Sequence, residues 1–434
     1  MRKLPRSWPQ PDVMGAPDDR FASRLLEQEI VTSVGCTEPA ALALAAAAAA
    51  ARTTGRVEQI RVRADLGTFK NALAVGLPGT SQKGPAIVAA VGSLVRDPSL
   101  GLQVLGAVTA AQWEKAAALA QRVRVLHEPW REVRIEAEVT TADGTGRASI
   151  RGRHDRLDRP VAAPDDGHQT DEIDDAEIVA RLGSARQLVS AVDSLDGADL
   201  ARVADAVETN RRLAEYGFEE DAGWGTGRAF RDTGDDPVTV TKAWVSAAID
   251  ARMSGAPLPA ATSGGSGNSG IVVSLGAWTA ARNLGTWSNE EVLRATALAH
   301  LVNIAVKARI GRVGPLCGGA HASAMGVGCA IAWLLHGREE VIDRVIRHVV
   351  NATSGTLCDG AKPGCALRIA SGLGVAVDAA RFAAGGHGRI GNAGLAGESG
   401  ASALERLQQL SAQAFSDVDS GLVEILIDQS RWES

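Results

Sequence analysis

Aromatic side chains are scarce in this sequence: they make up 4% of 434 residues, and there is one tyrosine. That scarcity argues against an aromatic-rich β core. The alanine and glycine that take its place let helices approach closely, so tightly packed helices are expected. A basic surplus is missing as well. The formal net charge of −6 argues against a nucleic-acid binder, which needs Lys and Arg to neutralise phosphates. The first residues, Met1 to Gly15, lack the apolar stretch of a secretory signal. The alanine run from Ala40 to Ala51, interrupted only by Leu42 and Leu44, is too short and too weakly apolar to span a bilayer. Gly318 to Leu335 is long enough, but it carries His321, Ser323 and several glycines and reads as a buried small-residue helix. A soluble, cytoplasmic protein without a membrane or nucleic-acid partner is the expectation. Close cysteine pairs are absent too. Five cysteines in so long a chain are no disulfide framework, and a zinc site favours ligands two to four residues apart.

The length suits two domains, and the fold class expected is α+β. Residues 20–160 read as an N-terminal α/β domain, with strand patterns at Val57–Val62, 72–78, 123–125 and 133–139. Asp143-Gly144 forms a hairpin turn there. Residues 175–434 read as an all-α domain, with helices at 176–190, 198–216, 238–253, 288–309, 319–336, 338–352, 363–384 and 401–413. Before these come a loose arm over 1–19 and, between the domains, an acidic link from Asp165 to Asp175.

Four constellations could carry chemistry. Cys317 lies in Gly314-Pro315-Leu316-Cys317-Gly318-Gly319, and Cys358 and Cys365 bound Cys358-Asp359-Gly360-Ala361-Lys362-Pro363-Gly364-Cys365. Glycine-rich loops at helix starts suit a three-thiolate metal cluster, because glycine lets the backbone approach inorganic sulfide and helix N-termini offset negative charge. The plain alternative is that free cysteines are buried small hydrophobes, and Cys329, among apolar residues in mid-helix, reads that way. Thr262 to Gly270, rich in Gly, Ser and Asn, can form a nest of backbone donors for a carboxylate or a simple flexible loop. Gly35-Cys36-Thr37-Glu38-Pro39 opens the alanine helix, so Cys36 is expected to have a depressed pKa, and Glu38 could act as acid, base or cap. Lys70-Asn71 precedes the turn Pro78-Gly79-Thr80 and could pair with a substrate carboxylate. His154 and His300 are further proton-transfer candidates, although a lone histidine is more often structural.

Taken together these segments resemble the L-cysteine desulfidase family, relatives of the iron–sulfur L-serine dehydratases. The resemblance is carried by Gly35-Cys36-Thr37-Glu38-Pro39, Lys70-Asn71 with Val75 to Thr80, and Asp250-Ala251-Arg252-Met253. Gly265-Ser266-Gly267-Asn268 with Gly270, and Cys358-Asp359-Gly360-Ala361 with Cys365-Ala366-Leu367, complete it, in order, from about residue 22 to 395. It implies a 4Fe-4S cluster on Cys317, Cys358 and Cys365 with one open iron, and no pyridoxal phosphate. The reaction implied is α,β-elimination of sulfide from L-cysteine, giving pyruvate and ammonia. L-serine or another β-substituted amino acid is the alternative substrate, and a non-catalytic cluster sensor is a third reading. Within that scheme Cys36 is the expected base and Glu38 the second choice, while Lys70, Asn71, Ser266, Gly267 and Asn268 are expected to bind substrate. The chain departs from the family pattern at Asp65 and Gly67, and at Glu398, where the family tends to carry histidine. A homodimer is the commonest assembly for such soluble enzymes.

Overall fold

The structure, a computed structural model, describes residues 20–158, 172–388, 390–415 and 417–430. The expected arm and the acidic link as far as residue 171 lie outside the described residues. The α+β class holds. Four strands form a sheet in the order β3-β2-β4-β5: β2 (Val57–Asp65), β3 (Val123–Glu128), β4 (Arg134–Thr141) and β5 (Gly144–Arg151). β2 runs parallel to β3 and antiparallel to β4, and β4 and β5 form the hairpin expected at Asp143-Gly144, with Thr141 opposite Gly144. Alternate residues of β4 are buried, as a strand with one face on a core requires.

The alanine helix, Thr37–Ala51, is buried from Thr37 to Ala50. A helix apolar on every side has to be covered on every side, and small residues on both partners make that cover close. A Cβ added to Gly92, on the neighbouring helix Pro85–Val95, would lie 2.2 Å from the Ala43 carbonyl oxygen.

The strand expected at 72–78 is a correction. Residues Leu66–Ala72 form a helix, and only an isolated Leu77–Thr80 bridge follows, around the Pro78-Gly79 turn. The cause is Asp65. Its carboxylate accepts from the Thr68 amide (2.8 Å), the Thr68 hydroxyl (2.8 Å) and the Arg134 amide (2.9 Å), capping a helix at the very end of β2. Burial lifts the Asp65 carboxyl from 3.8 to about 6 against the pull of those donors. The native state therefore holds this proton more tightly than the unfolded chain does. Its stabilising effect is present at low pH and is lost as pH rises from 3.8 to about 6, an effect of about 3 kcal/mol. Asp65→Asn is expected to flatten that part of the stability–pH curve, measured by urea unfolding.

The remainder is helical, with two revisions. The 176–190 helix is two, Asp175–Arg181 and Ala185–Asp193, and the 319–336 helix opens with a π turn, Gly319–Ser323, before Ala324–His336. The all-α expectation also needs correcting: Pro259–Ala261 is a strand, β6, and it pairs antiparallel with β1, Thr32–Val34. Three residues containing proline and alanine carry no alternation that could announce a strand. Through this pair, and through one apolar core that runs from Phe21 to Leu407, the two halves are joined. Among the described residues no helix is long and apolar enough to cross a membrane.

Candidate active site

Segments far apart in sequence meet around a cavity of about 80 Å³. The start of the alanine helix supplies Cys36 and Glu38, and the last turn of Leu66–Ala72 supplies Asn71. Arg252 comes from the last turn of the helix Pro237–Met253, and Lys307 from the last turn of Asn289–Ile310. Ser266, Asn268 and Ser269 open the helix Gly267–Ile271, and the three cysteines of the glycine-rich loops close the ring.

Cys317 and Cys358 are brought together by backbone pairing. Leu316 and Leu357 form an antiparallel bridge, the Cys317 amide donates to the Thr356 carbonyl (2.9 Å), and the Cys358 amide donates to the Pro315 carbonyl (2.7 Å). Cys365 is the first residue of the helix Cys365–Ala384. All three thiols are free. Burial pushes the Cys317 thiol up to about 12, with Cys358 and Cys365 adding to the effect and Arg368 opposing it; burial raises Cys365 as well. Beside them, Lys362 and Arg368 each reach Asp359 Oδ1 at 2.5 Å, so two cations flank the thiols. Cys329 is buried in the helix Ala324–His336 and does not line the cavity, in keeping with a packing role. Among the described residues no three His, Cys, Asp or Glu side chains stand so as to share one metal ion.

The expected thiolate at Cys36 is a correction. The thiol donates to Glu38 Oε2 (3.0 Å), and burial together with that carboxylate raises its pKa well above 9.0. The helix terminus does not outweigh desolvation and an adjacent negative charge. Glu38 also accepts from the Thr37 hydroxyl (3.1 Å) and from Asn71 Nδ2 (2.8 Å). Burial works against its charge, yet His154, the Cys36 thiol and Arg252 together hold the carboxyl below 4.5. Glu38 is thus a buried, ionised carboxylate.

The glycine-serine segment differs from the expected nest. Gly264 and Gly265, both in the left-handed region, make a tight turn in which Ser263 and Ser266 exchange backbone hydrogen bonds of 3.1 and 3.3 Å, so those donors are used internally. Ser266 Oγ caps the following helix by accepting from the Ser269 amide (3.4 Å). The free cationic donors come from Arg252. Its Nη1 donates to Asn268 Oδ1 (2.9 Å), while Nε and Nη2 are buried without a partner among the described residues. Gly267 makes room for this guanidinium: a Cβ there would lie 2.5 Å from Arg252 Cζ. Arg252 belongs to a motif visible in the sequence, but as the basic residue of a last helical turn it reads as a companion of the helix dipole. Lys307 was hidden in the same way. It is buried, its ammonium has no hydrogen bond or ion pair among the described residues, and burial brings its pKa down to about 8.

Lys70 is a second correction. Its side chain is fully buried away from the cavity, and Nζ donates to Asp419 Oδ1 (2.6 Å) and the Cys358 carbonyl (2.6 Å), with the Gly314 carbonyl at 3.4 Å. No donor is left for a substrate carboxylate; the lysine instead braces the loop that carries Cys358. Lys70→Met is expected to cost about 3 kcal/mol, because it leaves Asp419 uncompensated, and the double change with Asp419→Leu to recover most of that. Thermal unfolding of the two variants checks this.

The departures are structural. Asp65 is the helix cap described above, and a Cβ on Gly67 would lie 2.8 Å from Val313 Cβ. Glu398 accepts from Asn392 Nδ2 (2.7 Å) on an exposed loop and does not line the cavity. His300 shares a hydrogen bond with Ser274 Oγ (3.2 Å), and burial drives it down to about 3. His154 is buried with both ring nitrogens unpartnered among the described residues, behind Gly265 and outside the cavity lining.

Residues 99–424 match a family model described as serine dehydratase alpha chain. Proteins called UPF0597 protein are similar over nearly their whole length. That of Oleidesulfovibrio alaskensis is 32% identical over 93% of this chain and 97% of its own. That of Desulfatibacillum aliphaticivorans is 32% identical with the same coverage. That of Clostridium perfringens is 30% identical over 94% and 98%.

Proposed function

This chain belongs to the serine dehydratase alpha chain family, and on that premise we propose that it is a lyase removing the β-substituent of a small amino acid. The substrate proposed is L-cysteine, and the cofactor a 4Fe-4S cluster on Cys317, Cys358 and Cys365. One observation carries the reading: a single cavity is shared by three free thiols and a buried guanidinium with two unused donors.

The residues fit the cofactor. Thiolates are the ligands iron–sulfur clusters take. All three of these thiols line one cavity. Thiols must lose their protons to become ligands, and Lys362 and Arg368 stand by to offset the charge. A cluster with three protein ligands supplies an open iron, a Lewis acid for the departing sulfur.

The chain's own groups divide the remaining work. Arg252 Nε and Nη2 form a fork suited to a carboxylate. Glu38, ionised and steadied by Asn71, Thr37 and the Cys36 thiol, offers its remaining acceptor capacity to the substrate ammonium. Loss of the α-proton and of sulfide leaves 2-aminoacrylate, which takes up water to give pyruvate and ammonia. L-serine is the second reading, favoured by the description of the family model.

The test is iron and acid-labile sulfide analysis of anaerobically purified protein, followed by product assay. Sulfide and pyruvate from cysteine support the proposal, and pyruvate from serine alone selects the second reading. Bound zinc without iron overturns the cluster assignment. An intact cluster with neither product overturns the lyase.

A further inference from the structure

The lyase reading leaves the base that removes the α-proton unassigned, and the cavity holds few groups able to accept a proton. The Cys36 thiol donates into Glu38 and keeps its own proton. The Glu38 carboxylate already accepts three hydrogen bonds. Arg252 stays charged at any working pH, and the other three cysteines are committed as ligands. His154 stands behind Gly265 and does not line the cavity.

Lys307 remains. The last turn of the helix Asn289–Ile310 carries it into the cavity, where a Cβ on Gly264 would lie 3.0 Å from its Cδ and one on Gly318 would lie 3.8 Å from its Nζ. The amine therefore sits beside the residue that follows Cys317. A buried lysine without a counter-ion carries an uncompensated desolvation cost, the kind of expense that marks functional groups. We propose that Lys307 Nζ is the base that takes the α-proton from the bound amino acid, an assignment that rests on the lyase reading.

In the step, neutral Nζ takes the proton and becomes an ammonium. The Cα–H electron pair becomes the second bond between Cα and Cβ, the Cβ–S bond breaks, and sulfide leaves with the electron pair of the Cβ–S bond. The ammonium then returns its proton to the leaving sulfide. No oxidant or reductant is needed. Burial is the main influence on the amine and favours its neutral form. Glu38, Glu29 and Cys358 face it and favour the charged form, while Arg312 and His154 oppose it. The balance, near 8, suits a base working close to neutral pH.

The experiment uses anaerobically reconstituted enzyme carrying Lys307→Met, Lys307→Ala or Lys307→Arg. All three are expected to keep wild-type iron and sulfide content. Binding of L-alanine, which lacks a leaving group, is expected to stay within about threefold by calorimetry, and kcat to fall about 10³-fold. Lys307→Arg keeps the charge but cannot release a proton, so it is expected to be as inactive as Lys307→Met. Small primary amines are expected to restore turnover to Lys307→Ala, more strongly as amine basicity rises. Wild-type kcat/KM is expected to rise with pH as the amine loses its proton, a rise that Lys307→Arg lacks. Activity retained by Lys307→Arg, or lost alanine binding without amine rescue, overturns the assignment in favour of a charge or binding role. Wild-type enzyme that releases nothing from cysteine or serine overturns the lyase reading instead, so the two failures are distinct.

Discussion

Serine in place of any one of Cys317, Cys358 or Cys365 is expected to leave the protein folded and nearly free of iron. The change swaps sulfur for oxygen at almost constant shape, so the surrounding packing survives. A serine hydroxyl is a hard, weakly acidic donor and a poor substitute for thiolate on iron–sulfur. On the proposed lyase reading, turnover should fall by about 10³-fold or more, because the departing sulfur would lose its Lewis acid. The control is Cys329→Ser: that thiol is buried in a helix away from the cavity, and the variant should retain full iron. Iron and sulfide per chain, measured beside the circular dichroism spectrum, separate the outcomes. A stoichiometric cluster in Cys358→Ser would falsify the ligand set.

Arg252→Met is expected to act on the substrate and not on the cluster. It removes two buried, unpartnered donors of a residue that lines the cavity and leaves Asn268 Oδ1 without its partner. Truncating one side of a buried charge-assisted contact costs about 3 kcal/mol, or roughly 100-fold in KM for the amino acid. Arg252→Lys should recover little, since a single ammonium cannot reproduce the planar fork. Gly267→Ala should resemble a mild form of the same defect, because its new Cβ would press on the guanidinium. Steady-state kinetics with the iron content held constant checks all three, and an unchanged KM in Arg252→Met would remove the carboxylate assignment.

How much of this was readable depends on how far each signal reaches along the chain. The strands β2, β4 and β5 declare themselves because one face is buried and the period is two, and Asp143-Gly144 marks their hairpin. The helix at 66–72 does not, since it is short and its start depends on an aspartate that also draws on Arg134 across the sheet. β6 is too short to show any period. The cysteine loops stand out by their glycines, but the bridge between Leu316 and Leu357 that sets Cys317 beside Cys358 is a tertiary fact. Lys70 shows the limit most sharply. A lysine in a motif looks like a ligand-binding group, and its real partner lies 349 residues away. Arg252 and Lys307 were masked for the opposite reason: each occupies the last turn of a helix, where a basic residue is unremarkable until its burial is known.

The tie from Lys70 to Asp419 also orders events during synthesis. The segment bearing Cys317, Cys358 and Cys365 leaves the ribosome before the helix Val418–Ser430 has been made. Until that helix docks, Lys70 has no counter-charge and the Cys358 carbonyl loses the firm anchor it later shares with it. On the proposed cluster reading, metal loading would therefore be a task for the finished chain. A message truncated just upstream of Asp419 would yield a polypeptide with every cysteine in place and its loading site unbraced.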